Sequence, residues 1–582
     1  MPMKYQLGAV DLSVIAISLL ISLAIGIYVQ VTGKQKRTTE EFLMAGRGMS
    51  KFPVIISITV TMLSAFTMLS HPAEIYRFGL QRAMMIVSTI VGTYLASVIF
   101  IPVYFQTKVS TTNEYLELRF GRKTRFLVSA LFNINMIVFM SVVLYAPALA
   151  LNAVTDLSLE LSITVIGVVC TLYCTLGGLK AVLWTDVFQA GLMLLCFIVI
   201  YIKGIDEAGG VSEIYKRARD GQRLDIFNMD IDLTTRYTFL NVFIKGVVSA
   251  LSYYGTSQIE VQRMLSISNV SKAKSSLVWS IVPVTILLCF CYFLGLILYS
   301  IFYFCDPILN KNQTGITKYD QVVPFYIVSR LSSIPGLTGI CIAGIFSGSL
   351  STISSALNSL STVTVIDFIK PLSYSTWLTD SKAVLIAKGI SVLYGVLCIL
   401  IAFSFTAADS LMQITTVLMS VTEGPVLAVY LIAVLTRRSS EKCIIFGLVI
   451  GVAFSCWIGY GSVYSGYVFP SLPLRSDGCN NISSAISGGF TIEDAVRNES
   501  ISLSVNDMNS DIFFLYKISF TWFSTLGCIV TLVCIIFATL ITGWKTNVIP
   551  SDSLCLSPVT KLWKRKSRSE NEEAQDLKEI TE

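Results

Sequence analysis

A chain of 582 residues that is 54% hydrophobic and only 14% charged, with a mean hydropathy of +0.70, lies outside the range of soluble globules, which carry about 25% charged residues. Its formal net charge of +6 is spread over connecting loops, a pattern that implies no nucleic-acid partner. One histidine, no clustered Cys/His spacing, no Gly-rich phosphate loop after a strand and no nucleophile elbow argue against an enzyme. The composition is that of an all-α polytopic membrane protein.

Apolar runs long enough to cross about 30 Å of hydrocarbon recur about thirteen times along the chain. In order they lie near 9–31, 52–80, 83–106, 124–151, 160–179, 181–203, 238–255, 277–303, 334–366, 384–407, 410–436, 443–463 and 518–543; they are called spans one to thirteen. Span one is too long for a signal-peptide core, lacks a basic stretch before it and has no small-residue cleavage pattern after it, so it is kept as a membrane crossing.

Basic residues set the expected orientation. Lys34, Lys36, Arg37, Arg47 and Lys51 follow span one, Lys108, Arg119, Arg122, Lys123 and Arg125 follow span three, and Arg437, Arg438 and Lys442 follow span eleven. These loops share one side, which the positive-inside rule makes cytoplasmic, so the N-terminus is expected outside and the C-terminus inside. The sequons at Asn312, Asn481 and Asn498 then fall outside as glycosylation candidates, and that at Asn269 falls inside. Most of the fourteen cysteines lie within spans and read as small packing residues. Cys305 and Cys479 instead occupy large outer loops, where a disulfide between them and two free thiols are the alternatives. The tail after Trp544 is basic near the bilayer and acidic beyond it, which suits contact with anionic lipid.

Polarity inside spans is the remaining signal, because such groups are expensive in lipid. In span nine, "GSLSTISSALNSLST" (348–362) holds eight hydroxyl residues in fifteen. Leu350, Ile353, Leu357 and Leu360 repeat at helical spacing as an apolar stripe, and Ser351, Ser354/Ser355, Asn358 and Ser361/Thr362 repeat beside it as a column of oxygens. Close packing accounts for part of this column, and coordination of a hard monovalent cation accounts for the rest. Span two is longer than one crossing and polar at Thr59, Thr61, Ser64, Thr67 and Ser70, so its middle is a weak helix able to present backbone carbonyls at mid-membrane. His71, before Pro72 at the outer end of that span, reads as a capping or packing residue.

Five motifs carry a family resemblance: "TTNEYLELRFG" (111–121), "LYAPALALNAVT" (144–155), "GGLKAVLWTDVFQ" (177–189), "EVQRML" (260–265) and "FSGSLSTISSALNSLSTVTVIDFIKP" (346–371). From about residue 9 to 460 the chain resembles the sodium/solute symporter family, nearest the branch of sodium-coupled monocarboxylate, sodium-iodide and sodium-dependent multivitamin transporters. The resemblance implies a leucine-transporter-type fold of two inverted five-helix repeats, with these divisions: 1–51, outer N-terminus, span one and cytoplasmic loop; 52–203, first repeat; 204–237, extracellular loop; 238–436, second repeat; 437–543, the last two spans with extracellular loop 464–515; 544–582, cytoplasmic tail.

It also implies a sodium site formed by the hydroxyls of Ser351 and Thr352 and the carbonyls of Gly348, Val60 and Leu63. Asp186 lies near that site in the family, and its alternative reading is a helix-end carboxylate paired with Lys180 or a loop arginine. The substrate cavity is expected around Ser64, Thr67, Tyr145, Gln189, Tyr254 and Gln258, with Ser257 in place of the branch's usual asparagine. Lys245 and Glu423 stand where relatives carry small residues; they form an ion pair, or Lys245 faces the cavity and attracts an anion. The implied activity is sodium-coupled import of a small organic anion across the plasma membrane, a short-chain monocarboxylate such as lactate or pyruvate first. Iodide-like anions or vitamins such as biotin and pantothenate, or a sensor or sodium-leak role, are the alternatives.

Overall fold

The structure, a computed structural model, describes residues 7–32, 38–154, 158–372, 379–407, 411–479, 512–542 and 548–561. Asn481, Asn498 and residues 562–582 of the tail lie outside these, as does the side chain of Asn312, whose backbone belongs to the helix Lys311–Thr314.

The described residues are helical apart from turns, loops and an isolated bridge between Arg438 and Val548. Among them, ten helices are long and apolar enough to cross a membrane, and the bent pair Lys51–Met62 and Ala65–Phe78 supplies an eleventh crossing. Spans five and seven are shorter than hydropathy suggests. Leu159–Leu172 is an apolar segment of a helix that turns sharply at Gly178, and Phe239–Gly255 ends at a break in span seven. Gly178 has φ of +61°, and a Cβ there would lie 2.7 Å from the Phe42 carbonyl oxygen, so both the turn and the close approach require glycine.

The same order of elements occurs twice. A broken helix (Lys51–Met62, Ala65–Phe78) is followed by a long crossing (Leu80–Thr107), a short helix (Thr112–Arg119), a long helix (Arg122–Val154) and the two arms on either side of Gly178. From Phe239 the order returns: a broken helix (Phe239–Gly255, Gln258–Leu265), then Val270–Ile301, the short Val322–Leu331, Leu337–Val363, Asp380–Ala402 and Leu411–Leu435. An odd number of crossings in the first set makes the second begin from the opposite face, so the two sets are inverted. This is the leucine-transporter-type arrangement.

The faces differ chemically. One bears a disulfide between Cys305 and Cys479, backed by hydrogen bonds from Asp306 N to Arg475 O and from Gly478 N to Phe304 O, both 2.8 Å. This is the cystine face. The other, the basic face, bears Arg47, Lys51, Arg119, Arg122, Arg125 and Arg437.

Both broken helices open at short polar stretches rather than at proline. In span two, Leu63 (φ −104°, ψ 67°) and Ser64 (φ −70°, ψ 169°) leave helical space and the halves bend by 51°. Pro72 sits inside the second half without ending it. In span seven, Ser257 is extended (ψ 126°), and the Gly255 carbonyl left at the break accepts a 2.5 Å hydrogen bond from Tyr104 Oη. Span nine is the central post: every residue from Cys341 to Val363 is buried. Its stripe of Leu350, Ile353, Leu357 and Leu360 enters the main apolar core, as the periodicity requires.

Candidate functional site

Span nine reaches the break of span two through Gly348. A Cβ at Gly348 would lie 2.8 Å from Ala65 N, 3.0 Å from Ser64 C and 3.1 Å from Leu63 O, so only glycine lets the two backbones meet. One turn on, Thr352 Oγ1 donates toward Thr61 O at 3.3 Å and Gly348 O at 3.1 Å, while Val60 O accepts from Leu63 N at 3.1 Å. Val60, Leu63, Gly348, Ser351 and Thr352 are all buried, in one small volume rich in backbone and hydroxyl oxygens.

Asp186 closes this volume. Fully buried, it accepts hydrogen bonds from Ser351 Oγ at 2.6 Å and Ser57 Oγ at 2.5 Å, joining the first half of span two, span six and span nine. Its cationic neighbour is Arg263, at 3.9 Å, rather than Lys180. Arg263 is itself fully buried, paired with Glu260, and donates to Thr61 Oγ1 and to Ser355 Oγ at 2.5 Å. Two carboxylates, Asp186 and Glu260, thus share one guanidinium, and with both ionised the cluster is one negative charge in excess. Burial makes an unmatched charge costly, and a bound monovalent cation would cancel it.

The other hydroxyls of span nine divide differently from a packing role alone. Ser354 and Ser361 return to their own helix, bonding Ser351 O at 3.0 Å and Asn358 O at 2.9 Å. Ser355 holds Arg263, and Ser359 donates to Gln262 Oε1 at 3.0 Å. Ser355 and Ser359 therefore tie span nine to Gln258–Leu265, the second half of the broken span seven. Ser57, Glu260 and Arg263 are the site residues that sequence reasoning missed. Opposite charges three residues apart in the "EVQRML" motif were the available signal.

A cavity of about 180 Å³ lies beside the break and includes Thr61, Met62, Ser64 and Thr67 of span two, Lys245 and Tyr254 of span seven, and Met419 and Glu423 of span eleven. A second cavity of about 80 Å³ continues toward the basic face, past Thr352, Ser257 and Asn113. Phe139, Tyr253, Met419 and Glu423 line both, and so stand at the partition.

Ser64, Thr67, Lys245 and Tyr254 therefore share the cavity, whereas three expected companions do not line it. Tyr145 is buried under the cystine-face loops with its ring 6.0 Å from Lys318 Nζ. Gln258 is bonded to the 110–112 segment, accepting from Thr112 N at 2.8 Å and donating to Ser110 O at 3.3 Å. Gln189 is buried three residues past Asp186, its amide without a protein partner. Lys245 forms the ion pair, bonding Glu423 Oε2 at 2.6 Å with Ser524 of span thirteen bonded to both groups, and it also lines the cavity. His71 lies within a helix rather than at its end; it stacks on Tyr292 and lines the cavity.

Polar networks lie toward both faces. Toward the cystine face, Glu74 accepts two hydrogen bonds from Arg236 (2.7 and 3.1 Å) and one from Tyr237 (2.7 Å). Toward the basic face, Asp367 accepts from Thr111, Asn113, Arg125 and Ser129.

A cavity at two broken helices, beside a buried cluster of oxygens that gains an excess negative charge when both carboxylates are ionised, suits a cation-coupled carrier. The sodium:solute symporter family profile matches residues 42–451. The chain is 37% identical to human sodium-coupled monocarboxylate transporter 1 over 93% of its own length and 88% of the relative's. It is 36% identical to a Drosophila melanogaster protein provisionally assigned as a sodium-dependent multivitamin transporter, over 90% and 85%. A solved Na+-coupled sialic acid symporter, in a substrate-bound outward-open state, superposes with a TM-score of 0.74 at 20% identity, covering 93% of this chain and 99% of that one. The chain belongs to the sodium:solute symporter family; it is a multi-pass membrane transporter with sodium as coupling ion and a small solute as cargo.

Proposed function

We propose that this protein imports a small organic anion across the plasma membrane, a short-chain monocarboxylate such as lactate or pyruvate first, by alternating access driven by sodium. The basic face is cytoplasmic and the cystine face extracellular in this reading, which puts the N-terminus outside and the C-terminus inside. The observation that carries it is the contact of Gly348 and Thr352 with the break of span two, directly beside the cavity. The monocarboxylate transporters among the relatives support the choice of cargo.

Sodium would take oxygens from Val60, Leu63, Gly348, Ser351 and Thr352, and the excess negative charge at Asp186 would favour it there. Bound at this point, it bridges span nine to the break of span two and stabilises the state in which the cavity wall is complete. Sodium thereby shifts a population by its differential affinity for the two states. Moving one charge through 100 mV supplies about 2.3 kcal/mol, roughly fifty-fold accumulation at about 1.4 kcal/mol per decade.

Uptake of labelled lactate, pyruvate, iodide and biotin by expressing cells, with sodium replaced by choline, tests the reading. Sodium-dependent lactate or pyruvate uptake is expected. Preference for iodide or biotin would reassign the cargo, and sodium current without uptake of any of the four would favour a leak or sensor.

A further inference from the structure

The cavity carries an arginine that the sodium cluster does not use. Arg82 belongs to the turn Leu80–Ala83 at the start of span three and lines the cavity at 8% exposure. Its Nη1 donates to Tyr237 Oη at 3.3 Å, and its Nε has no protein partner. His71, 7% exposed on the same cavity, likewise leaves Nδ1 unpartnered while its ring stacks on Tyr292. Charge matching singles out Arg82. Lys245 is bonded to Glu423 within the cavity wall, and the nearby Glu74 is held by Arg236 through two hydrogen bonds. No carboxylate among the described residues stands within salt-bridge distance of Arg82.

We propose that Arg82 is the anchor for the charged group of the cargo, which deepens and rests on the reading of an anionic solute given above. The guanidinium presents a planar fork of donors that matches the two oxygens of a carboxylate, and His71 supplies a second polar contact. The apolar remainder of the cargo lies against Met62, Phe66, Met85 and Leu288, which share the cavity. Lys245, already matched by Glu423, serves the wall and not the anion.

The test is labelled L-lactate uptake in sodium and in choline, for the full-length wild type, Arg82→Gln and Arg82→Lys, normalised to surface abundance. Unlabelled lactamide, the uncharged analogue, is the competitor. Arg82→Gln is expected to raise the half-saturating lactate concentration about ten-fold or more, equivalent to about 1.4 kcal/mol. Arg82→Lys should recover part of that loss, and lactamide should compete about ten-fold less well than lactate. Wild-type half-saturation in Arg82→Gln would overturn the anchor and leave the symport reading standing. Lactamide competing as well as lactate on the wild type would overturn it even if neither variant reached the surface. Absence of sodium-dependent lactate uptake by the wild type would remove both readings together.

Discussion

Asp186 and Thr352 contribute to the same oxygen-lined volume by different means, and substitution separates them. Thr352→Ala deletes a hydroxyl without changing charge, and is expected to raise the sodium concentration for half-activation about ten-fold, or about 1.4 kcal/mol. Unchanged sodium activation would show that span nine does not hold the ion. Asp186→Asn leaves Glu260 and Arg263 balanced one against one, so the buried cluster no longer favours a cation. Sodium-dependent uptake should fall further than in Thr352→Ala while the protein still reaches the surface. Arg263→Gln has the opposite effect on charge, leaving two buried carboxylates with no guanidinium. Breaking a buried pair costs about 3–5 kcal/mol, so surface abundance should drop before transport can be assayed, as surface biotinylation would reveal.

At the scale of elements, the meeting of span nine with the break of span two depends on one absent methyl. Gly348→Ala would place Cβ 2.8 Å from Ala65 N, a backbone atom that cannot rotate away. Span nine must then shift, so transport should be lost and not merely weakened; wild-type uptake in this variant would refute the tight contact. Much of this level was readable beforehand. The length of the apolar runs placed the crossings, and the polar middle of span two located its break. The hydroxyl column was read as ligand plus packing, but Ser355 of the column and Ser359 beside it bind the side chains of Arg263 and Gln262. A one-dimensional pattern does not say which neighbour faces a helix. The same limit displaced Tyr145, Gln189 and Gln258, since each residue step turns a helix by about 100° and a motif fixes no rotation toward the cavity. Arg82 escaped notice for a related reason: hydropathy starts span three at residue 83, whereas the preceding turn folds back into the cavity.

For the whole molecule, Glu74 and Asp367 sit in polar networks toward opposite faces. Asp367 receives donors from the 111–113 segment and from span four, so a single carboxylate fastens span nine to the basic face. Asp367→Asn weakens the charge-assisted bonds to Arg125 and should shift the population toward opening on that face. The expected readouts are faster modification of a cysteine introduced at Ser257 from that side and a higher sodium concentration for half-activation from the other. Equal modification rates would show that the network only stabilises the fold. Both networks draw on residues far apart in sequence, which explains why individual motifs gave no sign of them.

The cystine has a topological consequence. Cys305 follows span eight and Cys479 follows span twelve, so the bond closes a covalent ring across 174 residues that contains spans nine to twelve. Span nine, which carries Gly348 and Thr352, is a segment of this loop, and its rocking is motion within a closed circuit. A protease site engineered into the turn between spans eleven and twelve would therefore nick the backbone without separating the pieces. On a denaturing gel the cut protein should run as one species until a reductant is added, and then as two.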